Sequence, residues 1–167
     1  MIYSSLLIFA DLMLVALMST ILLVVWRFNQ NIGGLREWFF GFVCALANIS
    51  YFITNPPLPE LLSVLVQQAL LIGTGLFAFV GAKRYLGLTP LQLPFCGVVL
   101  AVSLLVSSYY TEIEPNAELR FVVSSVLTGG FCFWSFKTIW PPKIAAHPVR
   151  ALFGGTILFH GVFMALR

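Results

Sequence analysis

With 167 residues, 60% of them hydrophobic, 9% charged and a mean hydropathy of +0.99, the chain carries more apolar surface than a soluble globular domain sustains. At about 20 residues per crossing there is room for roughly six spans on short connections and for no soluble domain. The net charge of +3 comes from basic residues scattered among loops rather than clustered on one face, which excludes a nucleic-acid surface.

The first predicted span covers 4–26 and closes on Trp26 and Arg27, an interfacial ring and a snorkelling charge. It has no basic leader, runs long for a signal peptide and shows no clear cleavage box before Arg27, so it is expected to be a retained helix. Asp11 stands out within it, because a carboxylate at membrane depth is costly and usually faces protein or a water cavity. After the Gly33-Gly34 turn, the second span covers 37–54, with Trp38, Phe39 and Phe40 as an aromatic belt. Gly41 and Ala45, four apart, offer a close-packing face, and Asn48 is an amide in need of a partner. Pro56, Pro57 and Pro59 then stop the helix.

The third span covers 61–82, with the adjacent amides Gln67 and Gln68 in its outer third and Ala69 and Gly73 at small-residue spacing. Gly87 and Pro90 make the next turn, and the fourth span covers 91–109 with Pro94 in its first turn, where proline is tolerated. A loop from Tyr110 to Leu119 holds Glu112, Glu114 and Glu118. The fifth span, 119–140, opens on Arg120 and includes Ser124, Ser125, Thr128, Gly129 and Gly130. Pro141, Pro142 and Pro148 keep the following loop out of helix, and the sixth span covers 149–166.

Lys and Arg are retained on the cytoplasmic side, which orients the whole chain. Arg27, Arg36, Lys83, Arg84, Lys137, Lys143 and Arg150 fall in the loops this assigns to the inside, and Arg120 and Arg167 outside. The expectation is an all-α polytopic membrane helix bundle of six transmembrane helices with its N-terminus outside. Such a topology leaves Arg167 outside, so a cytoplasmic domain after it would need one further span.

By distance from the span ends, Asp11, Asn48, Gln67, Gln68, Ser124, Ser125 and His160 all fall in the outer half of the membrane. Two readings stay open. The groups could line an outward-opening cavity for a small molecule, or they could be hydrogen bonds holding helices together. Within the first reading, Asp11 needs a partner most urgently, and His160 is the imidazole at matching depth. His147, beside Pro148, reads as a headgroup residue. No metal set is expected. Cys44, Cys96 and Cys132 lie in spans without C-x-x-C spacing and read as packing residues. No nucleophile elbow, phosphate loop, H-E-x-x-H or intramembrane carboxylate pair occurs, so neither an enzyme nor a cofactor is expected.

The basic turn at Arg27 leads into G-L-R-E-W (Gly34 to Trp38) and Gly41, then P-P-L-P-E-L-L-S-V-L-V-Q-Q (Pro56 to Gln68). These are followed by G-T-G (Gly73 to Gly75), G-A-K-R-Y-L-G (Gly81 to Gly87), E-L-R (Glu118 to Arg120) and A-L-R (Ala165 to Arg167). This order of features resembles the multi-helix N-terminal sensor region of bacterial membrane-bound diguanylate cyclases, the GGDEF proteins. In that family the third-span motif commonly has Ala-Asn where this chain has Gln67-Gln68. The resemblance implies a sensory input domain in a bacterial inner membrane, homodimerisation through a cytoplasmic domain, and cyclic di-GMP synthesis by a cyclase domain that these 167 residues do not include. Its expected partners are the lipid bilayer and a small-molecule ligand from the outer side, with no nucleic acid. A small transporter or channel subunit and a structural membrane subunit are the competing classes; neither inverted repeats nor paired broken spans are evident for the former.

Overall fold

The structure, a computed structural model, describes residues 2–88 and 93–140, together with Gly154, Gly155, Ile157, Leu158 and Val162. Five helices are long and apolar enough to cross a membrane, and no strand occurs among the described residues. The helices are α1 (Ile2–Phe28), α2 (Leu35–Thr54), α3 (Glu60–Tyr85), α4 (Leu93–Ser108) and α5 (Ala117–Ile139), and the fourth span, Pro94–Ile113, runs from α4 on through the π turn that follows it. A 20-residue helix is about 30 Å long, the thickness of a bilayer's hydrocarbon core.

α3 is the central helix and packs along α2, α4 and α5, while α1 lies against α2. Ring contacts fix the directions. Trp26 stacks on Phe39 and Trp38 on Tyr85, so α1, α2 and α3 alternate, whereas Phe79 meets both Phe131 and Trp134, so α5 runs parallel to α3. The turn 29–34 and the C-termini of α1, α3 and α5 therefore share one end, which carries Arg27, Arg36, Lys83, Arg84 and Lys137. The Pro56–Pro59 turn and the acidic 112–118 segment share the other. We refer to these as the basic end and the proline end.

The core lies toward the basic end, where Leu22, Leu35, Trp38, Ala82, Cys132, Ile139 and Ile157 are buried together. Two glycines make this possible. Gly34 has φ 89°, a left-handed conformation that favours glycine, and it faces the Gly81 carbonyl so closely that a Cβ has no room. Gly81 in turn leaves space for the Trp38 indole, whose Nε1–H donates to the Ala78 carbonyl at 3.1 Å. The ring thus packs against α3 with its one polar atom satisfied.

Local chemistry explains where the helices stop. Asn55, at φ 39°, donates its N–H to Tyr51 O at 2.9 Å, and the prolines that follow cannot extend the ladder. α3 ends in a Schellman turn on Gly87 (φ 68°): Leu88 N donates to Lys83 O at 2.9 Å and Gly87 N to Arg84 O at 3.1 Å. Asn116 caps α5, its side chain accepting the Leu119 N–H at 3.0 Å. Pro141 follows Trp140 and ends α5 for the same reason as the earlier prolines.

The helical path out of α4 differs from the expected 110–119 loop. It continues through a π turn (Tyr109–Ile113), in which Glu114 N reaches back to Tyr109 O at 3.0 Å, and α5 already begins at Ala117. The acidic residues do not break the helix because its polar groups pair locally: Thr111 Oγ1 donates to Ser107 O at 2.6 Å and Tyr109 O–H to Glu114 at 3.3 Å. The expected sixth span, 149–166, lies largely outside the described residues. Within it Gly154, Gly155, Ile157, Leu158 and Val162 are helical, and a Cβ on Gly154 would meet Trp140 at 3.5 Å.

Candidate functional site

Ser103, Ser107 and Thr111 recur every fourth residue from α4 into its π turn, and Arg120, Ser124 and Thr128 do so on α5. That spacing puts each set on one helical face, and both faces meet α3 at Gln68. Gln68 is 4% exposed and its amide N–H groups donate to Ser107 Oγ at 2.7 Å and to Ser124 Oγ. Ser124 Oγ–H donates onward to Arg120 O at 2.6 Å, and Arg120 Nη1–H donates to Thr111 Oγ1 at 3.0 Å. Thr111 closes the circuit on the Ser107 carbonyl. The result is a polar seam among three helices, built around one amide.

The seam runs between two different surroundings. Toward the proline end Arg120 enters a cleft of about 530 Å³ between the Asn55–Leu58 turn and the first turns of α3, lined also by Glu60, Ser63, Val64 and Gln67. Toward the interior, Ser103 and Thr128 lie one turn deeper than Ser107 and Ser124, wholly buried, and their hydroxyls have no hydrogen-bond partner among the described residues. An unpaired hydroxyl in an apolar setting costs on the order of 1–3 kcal/mol. The seam therefore continues past its last satisfied bond toward the middle of the bundle.

Of the seven residues expected to share the outer half, the structure joins Gln68 to Ser124 by a hydrogen bond and puts Gln67 in the wall of the cleft. Asp11, Asn48 and Ser125 are half-buried and make no hydrogen bond to the seam. Asp11 is carried by α1, which packs on α2. The expected contact from Asp11 to His160 lies outside the described residues, because His160 does, as does the reading of His147. Ser107, Thr111 and Arg120 are members of the seam that reasoning from span depth alone passes over; the four-residue hydroxyl spacing is the signal that finds them.

A second buried charge sits at the basic end. The Glu37 side chain is 8% exposed and pairs with Arg36 at 3.0 Å and with Arg84 across the hairpin. Both arginines are partly solvated, at 54% and 40%. The carboxylate ties the start of α2 to the end of α3 beside the Trp38 and Gly81 contact, so this cluster closes the hairpin. Lys83 adds a cation–π contact, its Nζ 5.3 Å from the Phe79 ring centre.

No family model matches the chain, and no curated protein or solved structure does either.

Proposed function

We propose that this chain is the membrane-embedded sensory input region of a signalling protein, oriented with its N-terminus and proline end outside and its basic end in the cytoplasm. On this reading it crosses a bacterial inner membrane six times and, by way of one further span, regulates a cytoplasmic diguanylate cyclase domain that is not among these 167 residues, within a homodimer formed through that domain. The observation that carries the reading is the seam itself. A polar path starts at a cleft at the proline end and leads toward two unpaired hydroxyls inside the bundle, so a ligand or an ion at the cleft has a direct mechanical route to α3, the helix that touches α2, α4 and α5. α3 also ends at Arg84, which is held to Glu37 at the opposite end, so a shift of α3 is felt there.

The cyclase as output rests on the resemblance of the Arg27 to Gly87 motifs. Exchanging residues 1–167 of the parent protein for an unrelated membrane anchor tests it. The expected result is a changed cyclic di-GMP level at equal protein abundance, and an unchanged level would leave this region a mere anchor. A histidine kinase in the reading frame past residue 167 would keep the sensory role and change the output.

A structural subunit is the second reading, favoured by the closed hydrogen-bond circuit of Gln68, Ser107, Thr111, Arg120 and Ser124. In that case substitutions in the seam alter stability and nothing else.

A further inference from the structure

Arg120 is only 20% exposed along its side chain and enters the cleft from α5. One of its N–H groups is used on Thr111 at 3.0 Å, which holds the guanidinium in place. Glu60, on the opposite wall, stands 4.0 Å away, beyond hydrogen-bond range, and is 78% exposed. A guanidinium presents five donors in a planar fork, and the rest of this fork has no partner among the described residues. The two charges cancel formally but differ in setting: the cation is largely desolvated and held by Thr111, the anion is exposed and screened by water. The fixed charge decides what the cleft attracts.

The walls add a second constraint. Pro57, Leu58 and Val64 are apolar, and Gln67 stands beside them as a further hydrogen-bonding group. The cleft, of about 530 Å³, is open to its surroundings and more polar than apolar in its lining.

We infer that the cleft binds a small oxyanion, a carboxylate or phosphate group on a short apolar body, which takes the free fork of Arg120 and displaces Glu60. The bidentate geometry of a guanidinium suits an oxyanion in a way that an ammonium does not. Bound there, the anion pulls on the residue that also holds Thr111 and, through its carbonyl, Ser124, so the seam reports occupancy to Gln68. This names the class of molecule for the sensory site proposed above and rests on that reading only for its purpose. Its test reads binding alone, so the two ideas fail separately.

Butyrate is titrated calorimetrically into the purified chain in uncharged maltoside micelles, with inorganic phosphate as a second probe. Saturable binding of either is expected. Glu60→Gln should tighten it about 1.4- to fivefold, the equivalent of the 0.2–1 kcal/mol that an exposed ion pair is worth. Arg120→Gln should abolish it, and Arg120→Lys, which keeps the charge but loses the fork, should weaken it about tenfold where Arg120→Gln does not fold. Competition by added phosphatidylglycerol would make a lipid headgroup the occupant in the membrane, and no competition would make it a free anion; either supports the site. Absence of saturable binding to both the wild type and Glu60→Gln, or butyrate binding unchanged by Arg120→Gln, overturns the inference.

Discussion

Gln68 donates to hydroxyls on two other helices while 4% exposed, so Gln68→Leu removes two hydrogen bonds and leaves their acceptors in an apolar setting. Hydrogen bonds between membrane helices average about 0.6 kcal/mol and reach about 1.7. The expected loss is therefore about 1–3 kcal/mol, measured by denaturant unfolding in micelles. Ser124→Ala should cost less, since it deletes one acceptor and a bond to a backbone carbonyl but leaves the Gln68 amide its bond to Ser107. Glu37 follows a different logic. Breaking a fully buried ion pair typically costs about 3–5 kcal/mol because a charge is stranded. Here the charges left behind in Glu37→Gln are arginines 54% and 40% exposed, which water can solvate. A smaller loss of about 1–2 kcal/mol is expected, and it should shrink in high salt, because the solvated side of the cluster is open to screening.

Helix packing at the basic end depends on glycine more than on charge. Adding a Cβ at Gly81 drives it into the Trp38 ring and to 3.0 Å from the Gly34 carbonyl, so Gly81→Ala should destabilise by about 1–3 kcal/mol, the usual cost of overpacking. Gly97→Ala is the control. Nothing lies within 4 Å of its added Cβ, and the better helix propensity of alanine should leave stability unchanged or raise it by up to about 1 kcal/mol. Thermal unfolding of the two variants beside the wild type checks both signs. The helices themselves were legible in sequence because apolar runs bounded by Gly33-Gly34, Pro56-Pro57 and Gly87 have few other solutions. The π turn was not: Tyr110 to Ile113 read as loop because the polarity of Thr111 and Glu112 is visible in sequence, whereas the pairing of Tyr109 with Glu114 and of Thr111 with Ser107 and Arg120 is not.

Among the described residues, the two ends of the bundle hold different features. The basic end holds the apolar core and the closed Glu37 cluster, and the proline end holds the cleft and the seam. The expectation for the seven polar groups used only each residue's distance along its span. Which of those groups meet was beyond such reasoning, because depth says nothing about rotation about the helix axis: Gln68 and Ser124 face one another, whereas Asp11 rides on α1, which packs on α2 rather than on α3. The proposed orientation has its own check in intact cells. With Cys44, Cys96 and Cys132 replaced by alanine, a cysteine at Leu58 should react with a membrane-impermeant maleimide and one at Asn31 should not; the reverse pattern would invert the topology. On the proposed reading, the sensory role of the seam meets its most direct test in the cyclic di-GMP output of a longer protein that includes these residues and carries Gln68→Leu, read against its abundance in the membrane. The expected result is an output that shifts while abundance holds. An output that stays at the wild-type level, or that falls only in step with protein loss, would reduce the seam to a fastening between helices.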